Sequence, residues 1–178
     1  TVRPIYPKFN ASWMLSEEPF FPFKEQVPVL RLRFATGQAG IMPATTARRR
    51  TYAMGNNFVL DDGSPTGFFA ELGSPGDPEL RAERSREYEG GFDLELFDRR
   101  LAFEFTYYHK FTEDAIHRFP VAGSVGASVV RAFLGNVGDV ENHGFELWGS
   151  AHIIDRPMFS YRVTGSMASR NNKLVRMA

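Results

Sequence analysis

The chain of 178 residues has no cysteine, no long apolar run and no excess of charge of either sign. The absence of cysteine excludes disulfides, thiol chemistry and cysteine-based metal sites. Lys plus Arg and Asp plus Glu are equal at 21 each, which argues against a basic face for nucleic acid and against a polybasic membrane anchor. No apolar stretch approaches the about 18 residues of a membrane-spanning helix, and the first residues contain no apolar core of a signal peptide.

Aromatic residues are abundant in a chain that is mildly polar on average. They make up 14% of the residues, and 17 of them are Phe. This combination is typical of strands that alternate apolar and polar side chains, because such strands stay below hydropathy thresholds.

The clearest alternation lies in residues 86–96. One parity carries Tyr88, Phe92, Leu94 and Leu96, and the other carries Glu87, Glu89, Asp93 and Glu95. A helix would also align several of the apolar residues, but it would hold Gly90 and Gly91 in its interior at about 1 kcal/mol each relative to Ala. We therefore predict a strand. After a tight turn at 97–100, residues 101–108 alternate in the same way, which predicts a β-hairpin.

The same design recurs elsewhere in the chain. Residues 144–153 and 159–168 alternate on either side of a turn at 155–157, and shorter runs occupy 9–13 and 30–34. Six strands are predicted. The connections after the first, third and fifth strands are short or compact, whereas 37–80 and 112–137 are predicted as long loops.

Long structureless loops count against a compact soluble domain, but outer-membrane barrels have short turns on one side and long loops on the other. The predicted inner faces of the strands carry the charged residues Glu87, Glu89, Asp93, Glu95, Glu104, Glu146 and Arg162. Such a face suits a wet or plugged lumen, and the opposite apolar face suits lipid. A soluble β-sandwich with one wet face, which would bind carbohydrate, explains the alternation equally well. It explains the strand lengths and the unequal loops less well, so the residues alone leave both folds open.

Five segments resemble TonB-dependent outer-membrane receptors, most closely their SusC/RagA branch. Residues 76–93 are similar to "N-P-x-L-K-P-E-R-S-x-x-x-E-x-G-F-D", and 94–108 to "L-x-L-F-x-N-R-L-x-x-x-x-x-Y-Y". Residues 136–147 resemble "N-I-G-x-V-x-N-K-G-F-E-L", and 9–21 and 30–40 resemble two further motifs of the family. The segments occur in the family's order. Ala82 stands where the family usually has Pro, and His143 where it usually has Lys.

The resemblance implies an all-β fold in which residues 1–178 form about six antiparallel strands of a transmembrane barrel of roughly 22 strands. The plug domain and the remaining strands are expected outside this stretch. The implied function is import of a nutrient such as an oligosaccharide or a peptide, with a siderophore or another metal chelate as the alternative. The implied partners are outer-membrane lipid, the rest of the barrel and its plug, a TonB-type energy-coupling protein and a surface lipoprotein.

The sequence contains no recognisable catalytic set, so neither an enzyme nor a cofactor is predicted. His109, His117, His143 and His152 lack metal-ligand spacing. The ligand-binding candidates lie in the first predicted loop: Arg48, Arg49, Arg50, Tyr52, Phe68 and Phe69. The arginines suit an anionic ligand or lipopolysaccharide, although a solvated charge run explains them too. The aromatic residues suit stacking on sugar rings, or packing of the loop against the barrel.

Overall fold

A computed structural model describes residues 5–56, 68–122 and 132–177. The strands are β1 Lys8–Met14, β2 Val29–Ile41, β3 Thr51–Asn56, β4 Phe68–Ser74, β5 Glu83–Leu96, β6 Leu101–Pro120, β7 Ala132–Arg156 and β8 Phe159–Met177. Two short 3-10 helices, Leu15–Glu17 and Thr45–Arg48, lie between strands. Across these ranges, no helix combines the length and the apolar character that crossing a membrane would require.

Six strands form one sheet in the order β1-β2-β5-β6-β7-β8, and β3 and β4 form a separate two-stranded sheet. The predicted sheet of six strands is therefore confirmed. The first pair is antiparallel, with Phe9 opposite Thr36 and Trp13 opposite Leu32. Each strand lies beside its sequence neighbour in the large sheet, as expected for a meander.

The predicted lengths of the two loops were wrong. β6 continues to Pro120 and β7 already begins at Ala132, so most of 112–137 is strand. Within 37–80, β2 extends to Ile41 and β3 and β4 form an antiparallel hairpin. Apolar and polar residues alternate only where one face of a strand lies in an apolar environment. Backbone pairing between strands does not require this alternation, so the strands continue beyond the residues that alternate.

The chain divides into two compact units, and each is described by itself. The first unit comprises Thr1–Ala39, Ser85–Thr112 and Val140–Val175 and holds parts of all six strands of the large sheet. The second unit comprises Gly40–Arg84, Glu113–Asp139 and Arg176–Ala178, and it contains the β3–β4 hairpin.

One face of the sheet in the first unit is apolar and exposed. Phe105 stacks on Phe92 with ring centroids 5.6 Å apart and on Phe145 at 6.2 Å, so an aromatic row crosses three neighbouring strands. Large exposed side chains of the predicted apolar parity include Phe9, Trp13, Leu32, Phe34, Tyr88, Tyr107, Leu147, Ile153, Phe159, Tyr161, Val163 and Met167. A contiguous apolar surface of this kind marks contact with lipid or with a partner.

The described residues form almost no apolar core. Among the described residues, Leu80 is the only buried large hydrophobic side chain. A β-sandwich buries the inner faces of two packed sheets, and such a core is missing from this part of the chain. The soluble sandwich therefore does not describe this fold.

The structure shows why Gly91, one of the two adjacent glycines of β5, has no side chain. A Cβ at Gly91 would lie 2.3 Å from the backbone oxygen of Phe105 on β6. The two strands approach too closely there for any side chain, so this glycine is required by backbone contact and not by a turn.

Candidate functional site

The charged face of the first unit is organised around Asp93. Arg31 donates from Nε to Asp93 Oδ2 at 2.6 Å, and a terminal nitrogen of Arg33 lies 2.8 Å from Oδ1. Arg33 also donates to Thr106 Oγ1 at 3.3 Å. The Asp93 side chain is only 12% exposed, so the two arginines compensate a carboxylate that has lost most of its water. This group links β2, β5 and β6 on one face.

A second pair of opposite charges lies on the same face. Lys110 Nζ is 3.7 Å from Glu87 Oε2. A cavity of about 280 Å³ adjoins this pair, and Lys8, Asn10 and Glu89 also line it. The charged face therefore presents both signs of charge, with donors and acceptors that suit water or polar protein groups.

The apolar face ends at a polar cluster on β6 and β7. His109 Nε2 lies 2.8 Å from Glu141 Oε1, and the rings of His109 and His143 stack at 6.2 Å. These residues share the parity of Phe105 and Phe145, so they continue the same face where it changes from apolar to polar. The two histidines lack metal-ligand spacing in the sequence, and no group of three or more metal-binding side chains occurs in the described residues.

The second unit contains a charged group that sequence reasoning missed. Arg176 donates from Nε to Asp139 Oδ2 at 2.9 Å, and the backbone N–H of Asp114 donates to Oδ1 at 3.2 Å. A terminal nitrogen of the Arg81 guanidinium lies 3.5 Å from Asp114 Oδ1. Asp139 precedes the apolar run of β7. The hydrogen bond from Arg176, aided by that from Asp114, holds the pKa of the Asp139 carboxyl below its usual value.

Asn136 connects this group to the chain before β5. Its Oδ1 accepts from the backbone N–H of Arg81 at 2.7 Å, and its Nδ2 donates to the carbonyls of Arg81 at 3.2 Å and Asp114 at 2.6 Å. Gly138 has a φ of 124°, and a Cβ there would lie 1.8 Å from the Arg176 oxygen. The motif at 136–147 therefore begins with residues that fix the backbone.

These residues border a polar cavity of about 350 Å³ in the second unit. Its lining includes Asp77, Glu79, Arg81, Asp114, Asn136 and Arg176. Carboxylates, guanidinium groups and an amide at one opening can hydrogen-bond a polar solute of either charge. This cavity is the candidate ligand-contact site of the second unit. The sequence signals for it were two stretches that resemble family motifs, 76–93 and 136–147, which contain Asp77, Glu79, Arg81 and Asn136.

The predicted ligand-binding residues are not among this lining. The Arg48 guanidinium donates to the Pro78 carbonyl at 3.3 Å from Nε and 2.9 Å from a terminal nitrogen, so it braces the loop before β5. Arg49 and Arg50 are exposed, and so is Tyr52 on β3. Phe68 and Phe69 begin β4, and their side chains lie outside the described part of the structure. Ligand contact by these six residues stays a prediction.

A single sheet of long strands with one exposed apolar face and one charged face is the arrangement of a membrane β-barrel wall. The chain belongs to the family described as TonB dependent receptor-like, beta-barrel, which matches residues 3–174. Proteins of this family are receptors of the outer membrane, and the SusC/RagA-like resemblance of the sequence is confirmed.

Three relatives from Formosa agariphila are named TonB-dependent receptors. This chain is 28% identical to P26 over 171 residues, 29% identical to P39 over 178 residues and 26% identical to P3 over 178 residues. The alignments cover 96%, 97% and 97% of this chain but only 17%, 16% and 17% of the relatives. The chain therefore spans less than a fifth of their length.

Solved structures agree on the fold. The structure of the RagAB peptide transporter matches with a TM-score of 0.77 and 18% identity, covering 95% of this chain and 18% of that chain. The RagAB peptide importer in its "open-open" state matches with a TM-score of 0.70 and 16% identity, covering 97% of this chain and 18% of that one. The strand pattern of the described residues is thus that of a known barrel segment.

Proposed function

We propose that this chain forms part of the wall of an outer-membrane transporter that imports a nutrient too large for porins, such as an oligosaccharide or a peptide. The observation that carries the proposal is the two-faced sheet of long strands in a chain of the TonB-dependent receptor family. The peptide-transporter description of the RagAB structures supports a nutrient of this kind.

Each face has a role in the proposed transporter. The apolar face contacts outer-membrane lipid, because no part of the chain that the structure describes covers its exposed aromatic and aliphatic side chains. The charged face around Asp93 and Glu87 lines the lumen, where a plug domain and water satisfy its polar groups. The remaining strands, the plug and a TonB-type energy-coupling protein complete the system, and a surface lipoprotein caps it. The proposed activity is transport and not catalysis.

The polar cavity of the second unit is the proposed point of ligand contact on this segment. It combines Arg81 and Arg176 with Asp77 and Asp114, so it offers donors and acceptors to hydroxyl, amide or carboxylate groups. Oligosaccharides and peptides both present such groups. A metal chelate remains the competing ligand class, and the transport experiment separates the two.

The experiment deletes the gene of the full-length protein and measures growth on single oligosaccharides and peptides. We expect growth on one of these nutrients to be lost, and to be restored by the wild-type gene. An Arg176→Gln variant should restore growth less well than wild type, whereas a variant at the exposed Lys24, Lys24→Gln, should match it. Unchanged uptake of all oligosaccharides and peptides, together with loss of growth only under iron limitation, would assign the transporter to metal chelates instead.

A further inference from the structure

Trp148 lies on the charged face of the first unit. On β7 it has the opposite parity to Phe145 and Leu147, which belong to the apolar face. Its indole is half-buried and borders a cavity of about 220 Å³. The other residues of the charged face with polar side chains at this cavity are Glu104, Thr106, Glu146 and Ser166. An aromatic ring among carboxylates and hydroxyls is a different surface from the ion pairs around Asp93.

The Trp148 indole lacks the partners that the other tryptophan of the chain has. Trp13 donates from Nε1 to Glu18 Oε1 at 2.7 Å, and its ring lies 6.3 Å from the Phe20 ring. Within residues 5–56, 68–122 and 132–177, Trp148 has neither a hydrogen bond nor a ring contact. Buried indole N–H groups ordinarily find an acceptor, so Trp148 retains an unused donor and a ring without an aromatic partner.

The two carboxylates at the cavity face each other across β6 and β7. The stacking of Phe105 on Phe145 sets the register of these strands, which places Glu104 opposite Glu146. Both side chains are exposed, and neither has a hydrogen bond or an ion pair in the part of the chain that the structure describes. Like charges directly opposite each other in a sheet repel. Unlike Asp93, these carboxylates therefore lack a compensating group from the chain.

A pyranose ring can satisfy all of these groups together. Its apolar face stacks on an indole, and its neighbouring hydroxyls donate to carboxylates and accept from an indole N–H. An extended peptide presents N–H groups on one side only at every second residue, about 6.6 Å apart. Opposite residues of antiparallel strands are closer, about 4.5–5.5 Å between Cα atoms. Adjacent hydroxyls therefore fit the two glutamates better than a peptide backbone does.

The charge of the cavity restricts which sugars it accepts. Of the described side chains that line it, none is cationic and two are carboxylates. A uronate or sulfated sugar would add a negative charge beside Glu104 and Glu146, which costs free energy. The site therefore favours uncharged sugar rings.

We propose that Trp148, Glu104 and Glu146 form a subsite on the lumen side of the wall that binds one ring of a neutral oligosaccharide during import. The hydroxyls of Thr106 and Ser166 complete the subsite. The proposal rests on the proposed function and narrows its nutrient to uncharged sugar chains. A plug segment and a peptide are the competing occupants, and the test below separates them from a sugar.

The test measures binding to the full-length protein in detergent by isothermal titration calorimetry. The probes are neutral gluco-, manno- and xylo-oligosaccharides, uronate oligosaccharides of the same length, and peptides. Trp148→Leu removes the ring, Trp148→Phe keeps one, and Trp13→Leu is the matched control on the apolar face. Gel migration before and after heating confirms that each variant is a folded barrel.

We expect one of the neutral oligosaccharides to bind the wild-type protein more tightly than its uronate counterpart does. Trp148→Leu should weaken this binding about fivefold or more, because the stacking contact is lost. Trp148→Phe should retain most of the affinity, and Trp13→Leu should leave it unchanged. Glu146→Gln removes one negative charge and should narrow the difference between the neutral and the uronate sugar, which gives a second readout if Trp148→Leu does not fold.

Three results would overturn the subsite. One is unchanged affinity for the neutral oligosaccharide in Trp148→Leu and in Glu146→Gln. Another is binding of peptides alone, which would assign the cavity to a peptide. The third is absence of binding of any neutral oligosaccharide together with a lower unfolding temperature of Trp148→Leu, which would mean that the plug occupies the cavity. None of these affects the proposed transporter, whereas unchanged uptake of all oligosaccharides and peptides after gene deletion would contradict the proposed function itself.

Discussion

Asn136 shows how one polar side chain can stabilise the backbone where strands leave the regular pattern. Its amide makes three hydrogen bonds to the backbone of Arg81 and Asp114, and the neighbouring Gly138 occupies a conformation that other residues rarely adopt. Breaks in strand pairing leave backbone N–H and C=O groups without a partner. A side-chain amide can bond both, because its oxygen accepts from an N–H and its nitrogen donates to a C=O.

Replacing Asn136 should therefore destabilise the second unit. Asn136→Ala removes all three hydrogen bonds, and we expect a loss of about 1–3 kcal/mol because part of the network is shielded from water. Asn136→Asp keeps an acceptor for Arg81 but loses both donors, so it should be similarly damaging. Thermal unfolding in detergent measures the effect, with the exposed Asn171→Ala as control. Equal unfolding temperatures for all three variants and wild type would show that the network contributes nothing.

The β5–β6 turn contains backbone strain that the sequence does not announce. Phe97, Asp98 and Arg99 have φ angles of 53°, 54° and 66°, and none of them is glycine. The left-handed region costs ordinary residues about 1–2 kcal/mol each. Arg99 also pairs with Glu95 at 3.2 Å, but its side chain is 75% exposed, so this ion pair contributes little.

Arg99→Gly should therefore be more stable than Arg99→Ala. Both substitutions remove the ion pair to Glu95, and only glycine relieves the left-handed backbone, so we expect a difference of about 1 kcal/mol in favour of glycine. The free energy of unfolding in urea and detergent provides the comparison. An alanine variant as stable as the glycine variant would mean that the turn is not strained in the folded protein.

At the scale of elements, the sequence predicted the strands where one face is apolar and failed where neither face is. Residues 86–96 and 101–108 alternate cleanly, and both are strand in the structure. In residues 109–120, where β6 continues to Pro120, polar and apolar residues occur on both faces. The two-residue alternation that predicts a strand is therefore absent there. The β3–β4 hairpin was missed for the same reason, and the resemblance covered neither region.

The candidate site was less predictable than the sheet, because it depends on contacts between distant segments. The hydrogen bond from the Arg48 guanidinium to the Pro78 carbonyl could not be read from the sequence, and ligand contact by Arg48 stays a prediction. The ion pair between Arg176 and Asp139 could not be predicted from the sequence, because it forms only when β7 and β8 lie side by side. Asn136 and Gly138, in the motif at 136–147, are residue types that indicate an irregular backbone at this position.

Strand β8 offers a direct comparison of the two faces. Met167 belongs to the apolar parity and Ser166 to the polar one, and both are exposed in this chain. An arginine on the lipid face of a barrel costs about 2–4 kcal/mol near the bilayer centre. We therefore expect Met167→Arg to reduce the yield of folded, heat-modifiable barrel in liposomes, while Ser166→Arg folds nearly as well as wild type. Equal folding of the two variants would argue that neither face contacts lipid.

In the described residues, the six-stranded sheet has two different faces and almost no apolar core between it and other elements. The chain combines equal numbers of positive and negative charges with one exposed apolar face, and among the described residues Leu80 alone is a buried large hydrophobic residue. Such a sheet depends on its surroundings for stability, and in the proposed transporter these are lipid on one side and polar groups on the other.

The alternation of faces along β6 provides the most direct test of this account. Single cysteines at Phe103, Glu104, Phe105 and Thr106 are labelled with a fluorophore in the full-length protein, in bilayers whose lipid tails carry bromine as a quencher. We expect strong quenching at Phe103 and Phe105, on the apolar face, and weak quenching at Glu104 and Thr106, on the charged face. Equal quenching at all four positions, or quenching with the opposite parity, would contradict a membrane wall with this orientation.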